Sequence, residues 1–218
     1  MSWFYYVAVA VVRVILKLFT RCQVKGRENI PPQGPLLIVA NHLNLADPPL
    51  LGVSLGRTVI FMAKKELFRP RWIGYFIGSF GAFPVHRGEL NRQAIRQAYQ
   101  ILNSGSALAM FPEGTRSLSG QLQDALPGSA LIALRSGVLI LPVGISGTER
   151  IRGVTWFLHR PRITVNVGHP FHLPPASGKS TKAELSELTN SIMERIAELL
   201  PPEYRGDYGA GKLDDITN

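Results

Sequence analysis

Short apolar runs alternate with amphipathic segments along most of the chain beyond residue 30. The runs are bounded by Gly, Pro or Asn and have the length of buried strands, whereas the segments between them have the length of helices. This alternation favours an α/β fold, in which a central mixed sheet is flanked by helices. The predicted strands are Leu36–Ala40, Val59–Ala63, Ala107–Phe111, Val138–Ile145 and Ile163–Val167, and the predicted helices between them are Pro48–Leu55, Asn91–Asn103 and Pro127–Ser136.

The C-terminal part of the chain begins with a helix signal and ends in a polar tail. Thr181-Lys-Ala-Glu184 matches a capping box and predicts a helix that continues to about Leu200. After Pro201-Pro202 the composition becomes polar and Gly-rich, which favours disorder over residues 203–218. A chain of 218 residues accommodates one core. We therefore predict a membrane-associated helix over 1–22, one domain over 23–202, and the tail.

The N-terminal segment from Trp3 to Phe19 is aromatic and aliphatic, and it contains neither Pro nor Gly. It falls short of the roughly 18 uncharged apolar residues of a spanning helix, and it lacks the pattern of a cleaved signal peptide. We predict a monotopic or peripheral helix on the cell membrane, with the active site on the cytoplasmic side because basic residues follow the apolar run. In a helix, one apolar face would comprise Trp3, Val7, Val11, Val14 and Leu18, opposite Arg13, Lys17 and Arg21.

A second segment, Trp72–Phe83, is apolar all round and contains four Gly or Ser residues. Basic residues from Lys64 to Arg71 precede it. The segment shows no periodicity that separates a core helix from a second element in contact with the membrane. Both alternatives therefore stay open at this stage.

Composition and charge narrow the possible partners. Hydrophobic residues make up 45% of the chain, and the mean hydropathy is +0.09. Residues 1–96 contain 13 Lys or Arg against 4 Asp or Glu, whereas residues 97–218 contain 11 of each kind. This excess charge suits anionic lipid or phosphorylated substrates. No nucleic-acid-binding motif is present, so nucleic acid is not an expected partner. The single cysteine, Cys22, excludes an intramolecular disulfide.

A histidine and an aspartate follow the first predicted strand. His42 and Asp47 lie in the segment Asn41-His-Leu-Asn-Leu-Ala-Asp47, and the strand ends of open α/β sheets are common locations of sites. On a continuous helix the two side chains would point about 140° apart, so they meet only if the segment turns. With Asp47 as N-cap and Pro48 as the first helical residue, such a turn is expected. Asp47 can then accept the Nδ1–H of His42 and leave Nε2 for a substrate hydroxyl.

The spacing of His42 and Asp47 is weak evidence for a site by itself, since a simple helix cap would also explain it. A second polar segment, Phe111-Pro-Glu-Gly-Thr-Arg-Ser117, follows another predicted strand and should lie at the same sheet edge. Arg116 offers a planar guanidinium group suited to a phosphate, and Gly114 lets the backbone approach a ligand closely. Glu113 is expected either to tie the loop or to pair with a basic residue. Together the two segments indicate one site.

Four motifs in order resemble those of the glycerolipid acyltransferase family, typified by bacterial 1-acylglycerol-3-phosphate acyltransferases. The resemblance covers roughly residues 24–170, and the order of the motifs makes it specific. The motifs are Asn41-His42 with Asp47, Gly81-Ala-Phe-Pro-Val-His-Arg87, Phe111–Ser117, and Val138-Leu-Ile-Leu-Pro-Val143.

The resemblance implies roles for particular residues. His42 and Asp47 would form the catalytic dyad, and the Val138–Val143 block with Pro142 would line the acyl-donor side. The acceptor phosphate would be held by Arg87 and Arg116, in a pocket shaped by Glu113, Gly114 and Thr115. Two positions depart from the family pattern: Asn44 stands where serine is common, and Ala125-Leu-Pro-Gly128 replaces a frequent Phe-Lys-Pro-Gly, so that a usual lysine is absent.

The function that the resemblance implies is transfer of a fatty acyl group from acyl-CoA or acyl carrier protein to the free hydroxyl of 1-acyl-glycerol 3-phosphate. The product would be phosphatidic acid, for phospholipid synthesis, and membrane lipids would be further partners. Because a thioester is already activated, the reaction needs a general base but no cofactor. No metal is expected, since His169 and His172 lack Cys or carboxylate companions.

Three alternatives stay open. The acceptor can be another molecule, such as glycerol 3-phosphate, a lysophospholipid or an amino-acid lipid. The chain can also be a non-catalytic membrane-surface module, although such a module needs no base–carboxylate pair. A lipid hydrolase would use water in place of the alcohol, and thiol release without an acceptor would reveal it.

Overall fold

The computed structural model describes residues 3–85, 92–174 and 181–209. Its strands are β1 (Arg21–Lys25), β2 (Leu36–Ala40), β3 (Val59–Lys64), β4 (Ala82–Val85), β5 (Ala107–Met110), β6 (Leu139–Ser146) and β7 (Arg162–Val167). Its helices are α1 (Trp3–Phe19), α2 (Asp47–Ser54), α3 (Arg71–Ser79), α4 (Arg92–Asn103), α5 (Gly128–Ser136), α6 (Trp156–His159) and α7 (Lys182–Ala197).

The strands form one seven-stranded sheet in the order β1-β7-β6-β2-β5-β3-β4. β6, β2, β5, β3 and β4 are parallel, and β1 pairs in parallel with β7. β6 and β7 are antiparallel, so the sheet is mixed. The prediction of an α/β fold with a central mixed sheet flanked by helices is confirmed.

The sheet has a hydrophobic core on each face, because successive side chains of a strand point to opposite sides. In β2, Leu37 and Val39 pack with α4, α5 and α7 on one face. Leu36 and Ile38 pack with α2 on the other, where Leu16 of α1 also lies. All five residues of β2 are buried, as expected of the continuous apolar run of a central strand.

The strand order decides where polar residues meet. β2 lies between β6 and β5 and runs parallel to both. The segments that follow these three strands therefore leave the sheet side by side at the same edge. β4 also ends at this edge, two strands beyond β5.

Two strands, β1 and β4, have no counterpart among the predicted ones, and both lie at the outer edges of the sheet. β1 alternates exposed and half-buried residues, and β4 is four residues long. Edge strands with one neighbour need no continuous apolar run, so the signal that identified the central strands is weak in them.

The N-terminal helix ends at Phe19, and Arg21 lies in β1 rather than on the helix. The basic stripe predicted on α1 is therefore reduced to Arg13 and Lys17. The predicted apolar face of α1 is exposed: Val11 is 51% and Leu18 58% accessible to solvent. No helix within 3–85, 92–174 and 181–209 is both long and apolar enough to cross a membrane.

The structure corrects the prediction for the C-terminal tail and shows how the segment Trp72–Phe83 folds. Residues 203–209 are not disordered, since they belong to 3-10 turns at Pro202–Tyr204 and Gly206–Gly209, and Tyr204 is buried against the core. A polar composition did not reveal that two tyrosines, Tyr204 and Tyr208, pack against the core. Residues 210–218 lie outside the described part of the chain. The segment Trp72–Phe83 divides into α3 and β4, and Tyr75 on α3 is 60% exposed.

Candidate active site

Asp47 lies at the start of α2 and is fully buried. Its Oδ2 atom contacts Nδ1 of His42 at 2.8 Å. The same oxygen accepts the backbone N–H groups of Leu43 and Asn44, each at 2.7 Å. The predicted turn between His42 and Asp47 is thus present, and the carboxylate closes it from inside.

The prediction that Asp47 caps α2 is wrong. The N-cap is Ala46, and Asp47 is the first helical residue, followed by Pro48 and Pro49. A cap would accept N–H groups further along the helix, but Asp47 turns back toward the loop before it. Pro48 and Pro49 contribute to this, because proline has no N–H that a capping oxygen could bind.

The backbone of His42 is held on both sides by the segment that follows β5. Its N–H donates to Glu113 Oε1 at 2.8 Å, and its carbonyl accepts the N–H of Ser117 at 2.7 Å. The His42 ring stacks on Phe111, with ring centroids 4.1 Å apart and an 18° angle between the planes. The side chain therefore has few alternative rotamers, and its ring orientation is fixed.

Two asparagines anchor the same loop to the rest of the fold. The Asn41 side chain donates to the carbonyl of Ile145 at 2.8 Å and accepts its N–H at 2.7 Å. Asn44 donates to the carbonyl of Ile151 at 3.1 Å and accepts the N–H of Ala46 at 3.0 Å. The Asn44 amide thus bridges this loop to the segment after β6.

Glu113 is buried, and both of its carboxylate oxygens bind backbone. Besides His42 N–H, it accepts the N–H of Gln123 at 3.2 Å. Of the two predicted alternatives, the structure places Glu113 as a tie of the loop. Burial, with a smaller contribution from the nearby Asp47, raises the pKa of Glu113 to about 7 against the lowering effect of the two N–H donors.

Gly114, Thr115 and Arg116, which follow Glu113 in this segment, are less buried than Glu113. Gly114 has a φ of +70°, and a Cβ there would approach Leu126 Cδ1 to 2.8 Å. Thr115 and Arg116 are exposed. The loop that fixes His42 therefore also presents Arg116 beside it. Arg87 lies outside the described residues.

The fourth sequence motif, Val138–Val143, supports the site through the sheet, and its side chains form no hydrogen bond with the site among the described residues. Pro142 and its neighbours form the buried middle of β6, between β2 and β7. Their side chains pack in the core, and β6 reaches the site through the clamp between Ile145 and Asn41. Leu139–Val143 thus supports the His42 loop as part of the sheet.

The arrangement is suited to a general base. Asp47 Oδ2 accepts two backbone N–H groups and also faces Nδ1 of His42, so it acts as the acceptor for a proton on Nδ1 and leaves the Nε2 lone pair for a substrate. Nε2 makes no hydrogen bond to any described residue. The described residues contain no group of three or more His, Cys, Asp or Glu side chains that could hold a metal ion. The chemistry available here is proton removal from a substrate.

The sequence pattern missed the contacts that connect the segments to one another. It identified His42, Asp47 and Glu113, but not that Glu113 binds the His42 backbone. It gave no role to Asn41, which is 2% exposed and binds Ile145 across the sheet edge. A buried Asn directly after an apolar strand is a usable signal, because such an amide needs backbone partners.

Comparison with known proteins gives a consistent picture. A family model described as "Acyltransferase" matches residues 21–146. The 1-acyl-sn-glycerol-3-phosphate acyltransferase of Bacillus subtilis is 29% identical over 191 residues, which cover 86% of this chain and 92% of that protein. The protein of the same description from Streptococcus pneumoniae is 30% identical over 193 residues, covering 87% of this chain and 65% of that protein.

A solved structure is also similar. The crystal structure of the 1-acyl-sn-glycerophosphate (LPA) acyltransferase from Thermotoga maritima superposes with a TM-score of 0.65 at 27% sequence identity. The match covers 91% of this chain and 82% of that one.

Proposed function

Since the chain belongs to the acyltransferase family, whose model spans residues 21–146, we propose that it acylates the free hydroxyl of 1-acyl-glycerol 3-phosphate. The product is phosphatidic acid, and the donor is an acyl thioester. The observation that carries this proposal is the pair of His42 and Asp47, in contact at 2.8 Å, with Nε2 bound to no described residue. The acceptor is taken from the relatives, whose descriptions name it.

The reaction begins at Nε2 of His42, which can accept a proton because Nδ1 faces Asp47. Nε2 of His42 removes the hydroxyl proton as the substrate oxygen attacks the thioester carbonyl, and Asp47 stabilises the imidazolium that forms. When the tetrahedral intermediate collapses, the C–S bond breaks, and the imidazolium returns its proton to the leaving thiolate. Every atom and charge is accounted for, so the chain needs no cofactor and forms no covalent intermediate.

Holding the acceptor in place supplies the rest of the rate enhancement. A general base contributes typically about 10²–10⁴-fold, and correct positioning contributes several kcal/mol more. Arg116 is exposed beside the His42 loop and is suited to bind the acceptor phosphate through two N–H groups. Arg87 shares this role by the family motif, while Gly114 and Thr115 shape the pocket around the phosphate. Glu113 supports the pocket from within, since both its oxygens bind backbone.

The location that fits this chemistry is the cytoplasmic surface of the cell membrane. The acceptor is a lipid, and the exposed apolar face of α1 offers a monotopic contact with the leaflet that carries it. Acyl-CoA and acyl carrier protein are both polyanionic, so the excess positive charge of residues 1–96 suits either donor.

A thiol-release assay tests the proposal. The purified chain is incubated with acyl-CoA or acyl carrier protein and with 1-acyl-glycerol 3-phosphate, and both free thiol and phosphatidic acid are measured. We expect one phosphatidic acid for each thiol, and a loss of at least about 10²-fold in His42→Ala. Thiol released without acceptor would indicate a hydrolase, and preference for a different acceptor would overturn the assignment of 1-acyl-glycerol 3-phosphate.

A further inference from the structure

The segment between β6 and β7 exposes three apolar side chains to solvent. Val154 is 86% and Leu158 68% accessible, and Phe157 is 39% accessible. We call Val154 and the three apolar residues of α6, namely Trp156, Phe157 and Leu158, the α6 patch. Exposed apolar patches on proteins commonly mark interaction sites.

The α6 patch is continuous with the exposed face of α1. The ring of Phe19, at the end of α1, lies 6.4 Å from the ring of Trp156 and 5.8 Å from that of Phe157. Leu18, next to Phe19 in the chain, is 58% exposed. A surface that contacts α1 would therefore meet the α6 patch as well.

A basic cleft lies next to the α6 patch. It encloses about 450 Å³. Its lining includes the imidazole of His159 and five arginines, namely Arg21, Arg150, Arg152, Arg160 and Arg162. Arg150 pairs with Glu149 at 3.4 Å, and no described carboxylate forms an ion pair with the other four arginines. The cleft thus has unneutralised positive charge.

Arg160 is held in an unfavourable backbone conformation at this cleft. Its φ of 42° is the only positive value at a non-glycine residue within the described chain. A side chain in this region costs of order 1 kcal/mol or more, and such outliers concentrate at functional positions. The Arg160 guanidinium group reaches the carbonyl of Lys17, at 3.4 Å, and so lies between α1 and the cleft.

The same segment touches the catalytic loop. The Asn44 side chain donates to the carbonyl of Ile151 at 3.1 Å, and the Asn44 backbone N–H binds Asp47 Oδ2. Only one residue, Asn44, therefore separates the segment that carries the α6 patch from the carboxylate of the dyad.

We propose that the α6 patch and its arginine cleft form a second membrane contact, in which the patch inserts into the leaflet and the cleft binds the phosphate of an anionic phospholipid. An interfacial surface needs apolar side chains beside cations, and the α6 patch with its cleft provides both. An acidic carrier protein would use the arginines but would leave Val154 and Leu158 without a role. The contact places the catalytic loop at the bilayer, so it deepens the proposed function and rests on it for the bilayer-borne acceptor.

Vesicle binding of the full chain tests the contact without reference to activity. Vesicles of phosphatidylcholine alone are compared with vesicles that contain phosphatidylglycerol, and bound protein is separated by sedimentation. The variant Val154→Asp/Leu158→Asp should bind both vesicle types more weakly, by about ten-fold or more, because aspartate opposes insertion. Arg152→Glu should lose at least about five-fold on the anionic vesicles alone. Arg96→Glu on α4, across the sheet from α1, has the same charge change and should bind as the parent does.

Thermal unfolding checks that the variants are folded, which their exposed positions favour. Equal vesicle binding by the parent, the Val154/Leu158 variant and Arg152→Glu would overturn the proposal, as would a rise in the KM for acyl carrier protein in Arg152→Glu with unchanged vesicle binding. Activity on a short-chain, monomeric acceptor separates the two hypotheses. A folded parent without this activity would refute the proposed function, and the binding differences would still support the contact.

Discussion

A single oxygen of Asp47 organises the catalytic loop. Oδ2 accepts hydrogen bonds from His42 and from the backbone of Leu43 and Asn44. The other oxygen, Oδ1, is buried and has no hydrogen-bond partner among the described residues. Because hydrogen bonds to a charged acceptor are the stronger ones, the charge of Asp47 shapes the loop as well as orienting the imidazole.

Asp47→Asn should therefore affect both chemistry and stability. The amide oxygen can replace Oδ2, but the NH₂ group then occupies the buried Oδ1 position without a partner, which costs about 1–3 kcal/mol. Loss of the negative charge also removes the stabilisation of the imidazolium, so turnover should fall by roughly 10²–10⁴-fold. Urea unfolding and single-turnover acyl transfer measure the two effects. Near-normal turnover in the folded variant would exclude Asp47 from the dyad.

The raised pKa of Glu113 predicts a dependence of stability on pH. Its value moves from 4.5 to about 7 on folding, chiefly because the carboxyl group is buried. The folded state then binds the proton more tightly than the unfolded chain does. This contribution is complete below pH 4.5 and is lost as the pH rises through about 7, at a total cost of roughly 3 kcal/mol.

Glu113→Gln isolates this contribution, because glutamine stays neutral. The free energy of unfolding of the parent should fall relative to that of the variant, by up to about 3 kcal/mol between pH 4.5 and pH 8. Urea titrations at several pH values provide the measurement. If the two pH profiles run parallel, Glu113 is not protonated in the folded state over this range.

Arg116→Lys tests the phosphate contact. A guanidinium group binds a phosphate through two parallel N–H groups, whereas an ammonium group acts as a point charge. The KM for the acceptor should rise several-fold, with a smaller change in the KM for the donor. Arg135→Lys on α5, also an exposed arginine, is the matched control and should leave both constants unchanged. An unchanged acceptor KM in Arg116→Lys at several salt concentrations would remove Arg116 from the pocket.

Elements rather than single residues determine how the two loops of the site are joined. The segment after β5 holds His42 through Glu113 and Ser117, and it is itself shaped by the turn at Gly114. Leu126 lies against this glycine. Its side chain thus supplies an apolar contact to the loop.

Gly114→Ala and Gly120→Ala form a matched pair. Both glycines have positive φ, at 70° and 83°, but a Cβ on Gly120 would meet nothing within 4 Å. Gly120→Ala should cost about 1 kcal/mol of stability from backbone strain alone. Gly114→Ala should cost more and should also lower turnover, because Leu126 or the loop must move. Adding Leu126→Ala should recover the difference, and equal effects of the two single variants would contradict this account.

At the scale of the whole molecule, the exposed face of α1 predicts attachment to a bilayer. Val7 is 45% and Val11 51% exposed, and each buried valine-sized side chain contributes about 1.5–3 kcal/mol. Val7→Asp/Val11→Asp should reduce partition into vesicles by at least ten-fold, and should lower activity on bilayer-borne acceptor more than on a short-chain one. Ala10→Asp, which adds a charge on the face of Arg13, is the control. Undiminished sedimentation of the double variant with vesicles at high salt would show that α1 is not the anchor.

Two predictions that succeeded show how far local signals extend. The capping box at Thr181 and Glu184 is present with both hydrogen bonds, because all of its groups lie within four residues of one another. The central strands were identified because a strand covered on both faces must be a continuous apolar run. Signals of this kind depend on neighbours in the chain or on burial alone.

The sequence by itself determined the α/β class, the four ordered motifs and the spacing of His42 and Asp47. Only the tertiary structure decided that Glu113 binds the backbone of His42, 71 residues away in the chain. It also decided that Asn41 clamps Ile145, 104 residues away, and that α6 lies against α1. The physical reason is the strand order: β6, β2 and β5 become neighbours only when the sheet assembles, and no local propensity encodes which loops then meet at its edge.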